Sequence, residues 1–232
     1  MRLRAAAVTG MLLTASAAAA VAIAAGVRVP TAFAYLSIAI TLVAYTLYIT
    51  QMFPGSARRP VKPQPLSWVL FGFLTATGAA VQVMQGAGLA SWCLLLTSVA
   101  CFLIAGISFV RWRDEWHFDL FHAAVTVAAL LLFAFSLVTS RDARIATASA
   151  LSATLADLVS YGPTFKKARV KPEDDSAGNF ALNSLKTVPA LYALPVYTVA
   201  TSAYLVMLLV VNAAFALFLF VRQRDLGASG TP

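Results

Sequence analysis

Two ionisable residues lie deep within apolar segments of this sequence, and they are its strongest candidates for chemistry. Asp157 lies about nine residues before the basic cluster at Lys166, and Lys186 lies about nine residues after an apolar segment begins near Ala177. At about 1.5 Å per helical residue, both side chains are expected roughly 13 Å from the same membrane boundary. An ionisable group at that depth usually faces a water-filled cavity or an opposite charge. Two hypotheses stay open: a cavity that binds a polar group or moves a proton, and a buried ion pair or snorkelling lysine of structural importance only.

Two asparagines add polar groups to the same part of the chain. Asn183 precedes Lys186 by one helical turn, so both project from nearly the same face. Asn212 is a lone asparagine in the long apolar segment that ends near Arg222. An amide in such a segment either lines a polar cavity or bonds a neighbouring helix, and the sequence leaves both alternatives open.

Two prolines are candidate hinge positions. Pro189 lies inside an apolar segment, where it removes one backbone hydrogen bond and is expected to kink the helix. Pro163 lies where the preceding helix is expected to give way to a basic loop. Proline is tolerated in membrane helices without any mechanical role, so the hinge stays one of two interpretations.

The composition places nearly the whole chain in a lipid bilayer. Of its 232 residues, 60% are hydrophobic and only 11% are charged, and the mean hydropathy is +0.81. A soluble domain of this size does not bury so much apolar surface. The net charge of +8 comes from short basic clusters between apolar segments. That pattern sets membrane topology, and we expect no nucleic-acid partner.

Few residues are available for redox, metal or enzymatic chemistry. Cys93 and Cys101 share one apolar segment that has no His, Asp or Glu beside them. We therefore expect no disulfide framework, no metal site and no cofactor. The sequence also lacks a phosphate-binding loop, a zinc signature, a nucleophile elbow and a dinucleotide fingerprint, and we expect no enzyme.

Eight apolar segments are long enough to be spanning helices, since a crossing of about 30 Å needs about 20 residues. They are predicted at 5–26, 31–52, 66–86, 89–110, 118–139, 143–163, 178–196 and 198–221. With a cytoplasmic N-terminus, all of the 17 Lys and Arg residues except Arg28, Arg141, Arg144 and Lys186 lie on the cytoplasmic side. This bias predicts a protein of the inner (plasma) membrane with both termini in the cytoplasm. The first segment resembles a signal peptide, but its long apolar run favours a retained helix.

A long pattern occurs twice in the chain. Tyr48 to Arg111 and Tyr161 to Arg222 each contain a helix end, a basic loop with a proline and two apolar segments. Two units of odd helix number need one further crossing to lie parallel in the membrane. We therefore predict an all-α membrane protein with two parallel three-helix bundles and a linker helix, a 3+1+3 arrangement. The predicted parts are an extra helix or signal anchor in 1–30, the first unit in 31–113, the linker in 114–142 and the second unit in 143–232.

Residues 149–224 resemble the three-helix unit of the SWEET, SemiSWEET and PQ-loop superfamily of membrane transporters. The resemblance is carried by Tyr161-Gly-Pro-Thr at a helix end, by Ser176-Ala-Gly-Asn-Phe at the next helix start, and by Asn212. The family's Pro-Gln dipeptide corresponds to Pro163-Thr164 in this unit and to Thr50-Gln51 in the first. Each copy keeps one of the two residues, which adds Gln51 to Pro163 and Pro189 as a candidate hinge or gate position.

The resemblance implies transport of a small polar solute, sugar-like or another small metabolite, by alternating access between the two units. Asn212 would then line the substrate cavity, and Asn183, Lys186 and Asp157 are the other candidate substrate-binding residues. The alternative is a non-transporting membrane receptor or accessory protein that uses the same fold to bind a partner. Assembly into a homo-oligomer, the identity of the solute and coupling to protons are left open.

Overall fold

The structure is a computed structural model that describes residues 17, 26, 29–55, 60–112, 120–139 and 141–229, with side chains omitted at 120–123 and 226–229. The predicted first segment, 5–26, lies almost entirely outside these residues, as does the start of the predicted linker. Every regular element among the described residues is helical. The α-helices are α1 (Val29–Gln51), α2 (Pro65–Met84), α3 (Trp92–Arg111), α4 (Leu120–Thr139), α5 (Ala143–Val170), α6 (Ala177–Leu185), α7 (Thr187–Tyr192) and α8 (Val199–Ser229).

Four helical segments are long and apolar enough to cross a membrane, in agreement with the predicted membrane class. They are Val29–Gln51, Pro65–Met84, Gly88–Arg111 and Val199–Asp225. A shorter apolar segment, Ala124–Thr139, lies in α4. Large apolar side chains on the outer surface of α4, including Leu131 and Val138, are exposed by more than half of their area. Such a surface suits lipid better than water.

The helix starts follow from local sequence. Asp142 caps α5, because its carboxylate accepts hydrogen bonds from the backbone N–H groups of Arg144 and Ile145 at 2.8 and 3.2 Å. Ser176 caps α6 by accepting from the N–H of Asn179 at 3.3 Å. Pro65 occupies the first turn of α2, where a missing N–H costs nothing.

Three predicted segments differ from the structure. The predicted helix 198–221 continues as α8 to Ser229. The predicted helix 143–163 continues as α5 to Val170, so Pro163 lies inside a helix and not at its end. The final turns persist because Thr164 and Ala168 are buried, and because Lys167 and Arg169 complement the negative helix C-terminus.

The predicted segment 178–196 is not one helix. It divides into α6 and α7 at Lys186, because the ring nitrogen of Pro189 cannot donate to the carbonyl of Leu185. The predicted kink therefore occurs one turn before the proline, at the position of the buried lysine.

The packing order of the helices is the same in the two halves of the chain, residues 29–112 and 141–229. In the first half, α3 packs against both α1 and α2, and in the second half α8 packs against both α5 and α6. Between the halves, α1 contacts α6 and α7, while α2 contacts α5. The first helix of each half thus contacts the second helix of the other. Helix α4 packs on α2 and α5 and so connects the halves.

The loops from both halves meet at one end of the bundle, which we call the basic end. The N–H of Lys62 donates to the carbonyl of Asp174 at 3.0 Å, so the loop after α1 touches the loop after α5. The Arg222 guanidinium bonds the carbonyl of Arg169 at 3.0 Å, and the Arg111 guanidinium lies over the Phe53 ring. The ends of α1, α3, α5 and α8 are therefore close together.

Candidate functional site

A cavity lies between the two halves, and every side chain that lines it is buried. The volume open to the centres of water molecules is about 30 Å³, which is room for about two waters. The lining residues come from six helices: Tyr45, Trp68, Phe71, Thr75, Thr97, Cys101, Asp157, Tyr161, Phe180, Asn183, Lys186, Leu208 and Asn212. In this conformation the cavity is closed, and a solute larger than a few atoms requires it to widen.

The two halves supply lining residues from corresponding places. In the second helix of each half, the lining pairs are Trp68 with Phe71 and Phe180 with Asn183, each three positions apart. In the third helix, the pairs are Thr97 with Cys101 and Leu208 with Asn212, each four positions apart. At these places the first half contributes two aromatic rings, a hydroxyl and a thiol, and the second half contributes two amides, an aromatic ring and a leucine. The cavity is therefore symmetric in position and asymmetric in chemistry.

Asp157 is an acid with one unused oxygen in this cavity. It is only 1% exposed. Its Oδ2 accepts a hydrogen bond from the hydroxyl of Tyr204 at 2.9 Å, and the Tyr204 hydroxyl also lies 3.3 Å from Oγ1 of Thr75. Its Oδ1 is buried without a protein donor. A buried acceptor in that state is costly unless another group donates to it.

Lys186 lies at the break between α6 and α7, and it is also 1% exposed. Its Nζ donates to Oγ1 of Thr97 and, at 3.4 Å, to the hydroxyl of Tyr45. The same Nζ lies 4.7 Å from the centre of the Tyr45 ring. The backbone carbonyl of Lys186 accepts a hydrogen bond from Ser37 at 2.9 Å, which joins the break to α1. All of these partners are neutral.

Asp157 and Lys186 line one cavity but form no ion pair within 4.0 Å of each other. The ion-pair hypothesis requires such contact, because only a close partner compensates the desolvation of a buried charge. The structure does not show the predicted ion pair, and a role of the two residues in binding stays a prediction.

The two predicted asparagines lie on the same cavity. Oδ1 of Asn212 accepts from the hydroxyl of Tyr161 at 3.0 Å, and its amide nitrogen donates to the carbonyl of Leu208. The amide nitrogen of Asn183 donates to the carbonyl and side-chain oxygens of Asn179 at 3.0 and 3.2 Å. Oδ1 of Asn183 is buried without a donor. The structure thus brings together Asp157, Lys186, Asn183 and Asn212.

The three candidate hinge or gate residues do not line the central cavity. Pro163 lies within α5, and Pro189 lies in α7, one turn after the helix break. Gln51 ends α1, where its carbonyl accepts from the N–H of Val61 at 3.0 Å. These positions place Gln51 and Pro163 close to the basic end and Pro189 next to Lys186.

A smaller cavity lies beneath the basic end and shares three walls with the central one. Trp68, Phe71 and Phe180 line both cavities. The other lining residues are Gln64, Ser67, Thr164, Lys167 and Asp175. The three shared aromatic rings therefore separate the central cavity from the loops at this end.

The loops and the end of α5 close the basic end, mostly through contacts between the two halves. Asp175 accepts a hydrogen bond from the hydroxyl of Tyr48 at 3.3 Å. The Lys167 ammonium bonds the carbonyl of Lys62 and lies 4.0 Å from the carboxylate of Asp174. Together with the backbone bond between Lys62 and Asp174, these contacts form what we call the basic-end latch.

The latch should loosen as pH rises, because Asp175 is buried in it. Burial raises the pKa of Asp175 from 3.8 to about 6, although Lys167 and the Tyr48 hydrogen bond act in the opposite direction and Asp174 adds to the increase. The closed latch then holds a proton that an exposed Asp175 would release. We expect the closed state to weaken between about pH 4 and pH 7 by up to about a hundredfold, with little further change above about pH 7. Hydrogen exchange at the Lys62 amide, corrected for intrinsic exchange rates, measures this weakening.

Asp175→Asn is the control for this prediction, since an amide does not titrate in that range. The variant should show a protection of the Lys62 amide that does not change with pH. An identical pH profile in the variant and the native protein would rule out Asp175 as the titrating group.

The opposite end of the bundle is closed by different contacts. The rings of Phe33 and Tyr192 stack with their centres 5.3 Å apart, which joins α1 to α7. The amide nitrogen of Gln82 donates to the carbonyl of Thr201 at 2.7 Å, which joins α2 to α8. Both contacts connect the first half to the second, so contacts between the halves close the central cavity at each end. We call the boundary between the two halves the seam.

Gly78 provides space for the tyrosine that holds Asp157. A Cβ at Gly78 would lie 3.0 Å from Cδ1 of Tyr204 and 3.3 Å from Cδ1 of Leu94. Gly78→Ala should therefore displace the Tyr204 ring and lower stability by about 1–3 kcal/mol. Gly106→Ala is the matched control in a neighbouring helix, because a Cβ there meets nothing within 4 Å. The melting temperatures of both variants in detergent test this, and equal melting temperatures would contradict the tight packing at Gly78.

Sequence reasoning did not single out several residues of the site. Tyr204 bonds Asp157, and Thr97 and Tyr45 bond Lys186. Tyr161, which bonds Asn212, belongs to the repeat and to the resemblance but was not predicted as a site residue. Their hydroxyl groups are common in membrane helices, so residue type alone does not mark them. The repeat offered one signal, since Tyr161 corresponds to Tyr48 in the first copy.

Comparison of the chain with protein-family models, with curated proteins and with solved structures finds no match in any of the three. The functional conclusion therefore depends on the geometry of the cavity.

Proposed function

We propose that this protein transports a small polar solute, sugar-like or another small metabolite, across a membrane by alternating access between its two halves. The observation that carries the proposal is the closed polar cavity at the seam, lined by corresponding positions of both halves. A seam with separate contacts at each end can open at one end while the other stays closed. No catalytic cluster or cofactor is needed for this function.

The architecture that we propose is the 3+1+3 arrangement, with α1–α3 as one unit, α5–α8 as the other and α4 as the linker. It is supported by the shared packing order, in which the third helix of each half contacts the first two. The pairing of first with second helices between the halves is what two parallel units related by an approximate two-fold axis produce. The mechanism needs no second copy of the chain, since one chain contains both units.

We place the basic end in the cytoplasm of a cell with this protein in its inner (plasma) membrane. The described Lys and Arg residues at that end include Lys62, Arg111, Lys167, Arg169 and Arg222, and the other end has Arg141 and Arg144. Positive charge accumulates on the cytoplasmic side of membrane proteins. The end of α8 is then cytoplasmic, and the predicted helix 5–26, crossing the membrane once, would place the N-terminus there as well.

Flux through reconstituted vesicles tests the proposed function with many candidate solutes at once. Vesicles containing the protein are loaded with a mixture of sugars, amino acids and vitamins, and the contents retained over time are measured by mass spectrometry. We expect selective loss of one chemical class from these vesicles and not from protein-free vesicles. Equal retention of every solute in both preparations would contradict transport.

The rival function is a non-transporting receptor or accessory protein, and the small volume of the cavity favours it. A seam that stays closed, with room for about two waters, would serve as a rigid polar core for partner binding. The two functions differ in whether the cavity ever becomes accessible from both sides of the membrane.

A further inference from the structure

We infer that the transported solute is a small zwitterion, with an anionic group that binds at Lys186 and a cationic group that binds at Asp157. The inference rests on the proposed function and names the chemical class of its substrate. It depends on the hydrogen-bonding state of three buried side chains in the central cavity: Lys186, Asp157 and Asn183.

The ammonium of Lys186 has only neutral partners. Thr97 and Tyr45 accept its hydrogen bonds, and the Tyr45 ring lies beside it. Hydroxyl groups and a ring face do not neutralise a cation that has been removed from water. No carboxylate of the described residues lies within 4.0 Å of this ammonium. An anionic group of a solute supplies the missing charge.

Asp157 and Asn183 each need a hydrogen-bond donor, whereas Lys186 needs an anionic partner. Each has a buried Oδ1 to which no described residue donates, and each lines the same cavity as Lys186. The orientation of Asn183 is determined by its contact with Asn179, because only the amide nitrogen can donate to that backbone carbonyl. Two unused acceptors, one of them an acid, favour a ligand group that donates several hydrogen bonds and carries positive charge.

A zwitterion is the one class that satisfies both needs together. A neutral sugar leaves two charges of the site unmatched, and a singly charged solute leaves one. A zwitterion adds no net charge to a site that contains one acid and one base, so its own transfer into the membrane is less costly than that of an ion. The separate anchoring of the two charges by α6 and α5 also favours a compact solute that bridges those helices.

Binding to the purified protein tests the inference, with L-alanine and three analogues as probes. Propionate has the anionic group alone, alaninamide has the cationic group alone, and glucose has neither. We expect L-alanine, or another standard amino acid, to bind at least about tenfold more tightly than its own single-charge analogues. Isothermal titration of the protein in lipid nanodiscs measures these affinities.

Two variants test the contributions of the two charged residues separately. Lys186→Gln should weaken zwitterion binding to the level of the cationic analogue, and Asp157→Asn should weaken it to the level of the anionic analogue. Lys166→Gln is the control, because Lys166 is exposed on α5 and does not line the cavity. Each variant is first checked for an unchanged elution profile and helical content, so that misfolding is excluded.

Three results decide the inference. Preferential zwitterion binding with the expected variant pattern supports it. Preferential binding of glucose or of a single-charge analogue, or no binding of L-alanine or any other standard amino acid, overturns it. The vesicle flux measurement separates it from the proposed function: flux of a neutral sugar defeats the inference alone, and zwitterion binding without any flux defeats the transport function alone.

Discussion

Lys186→Met is expected to abolish solute flux while leaving the folded protein at least as stable as the native protein. Methionine has nearly the shape of lysine and no charge, so it fills the space between Thr97 and Tyr45 without desolvating an ammonium. Among the described residues, no carboxylate lies within 4.0 Å of Lys186, so its replacement leaves no buried anion without its ion-pair partner. The loss of flux should exceed about a hundredfold, since the solute loses a hydrogen bond to a charged donor as well as its counter-charge.

The opposite stability result would support a structural role for the lysine. Breaking a buried ion pair by removing one partner typically costs about 3–5 kcal/mol. A large fall in melting temperature for Lys186→Met, recovered by adding Asp157→Asn, would show that the two residues stabilise each other. Lys166→Met is the matched control, and it should leave both flux and melting temperature unchanged.

A disulfide across the basic-end latch is expected to stop flux completely and reversibly. Lys62→Cys and Asp174→Cys place one cysteine in each loop, at residues whose backbones are joined by a hydrogen bond of 3.0 Å. Residues joined in this way are close enough for a disulfide of ordinary geometry. Oxidation of the double variant should hold the basic end closed, and reduction should restore flux to its level before oxidation.

The two single variants, Lys62→Cys and Asp174→Cys, control for the loss of each side chain. This control is needed because Asp174→Cys also removes the contact of Asp174 with Lys167. Cys93 and Cys101 are replaced by serine in this experiment so that only the new pair can be oxidised. Unchanged flux after complete cross-linking, verified by the mass of the protein, would mean that the latch does not need to open.

The candidate site was more accessible to sequence reasoning than the shape of the helices. A charge in an apolar segment is a strong signal because lipid penalises it, and counting residues from the basic clusters predicted one depth for Asp157 and Lys186. The structure places both residues on the same cavity. It also shows that they do not pair, which counting residues along a chain cannot decide, since that depends on how the helices are rotated.

Helix ends were harder to predict, for reasons that the two prolines illustrate. Pro163 was expected to end a helix, but burial of the following turn keeps α5 intact to Val170. Pro189 was expected to kink a helix, but the effect falls one turn earlier, where the carbonyl of Leu185 loses its donor. Tertiary packing decides the first case, and the lost backbone hydrogen bond decides where the second helix breaks.

The partners of the site depend on contacts between distant segments. Tyr204 reaches Asp157 from α8, and Thr97 reaches Lys186 from α3. Neither pairing leaves a trace in local sequence, because serine, threonine and tyrosine are frequent throughout apolar helices.

Sided modification of Cys101 tests the central claim most directly, because it works whichever solute the protein carries. Cys101 and Cys93 are the two cysteines of the chain, both in α3 and both buried, but only Cys101 lines the cavity. A small membrane-impermeant methanethiosulfonate is applied to the Cys93→Ser and Cys101→Ser variants in sealed vesicles of known orientation. Alternating access predicts that Cys101 reacts when the reagent is added on either side and that Cys93 reacts from neither. Modification of Cys101 from one side only, or from neither side, would contradict it.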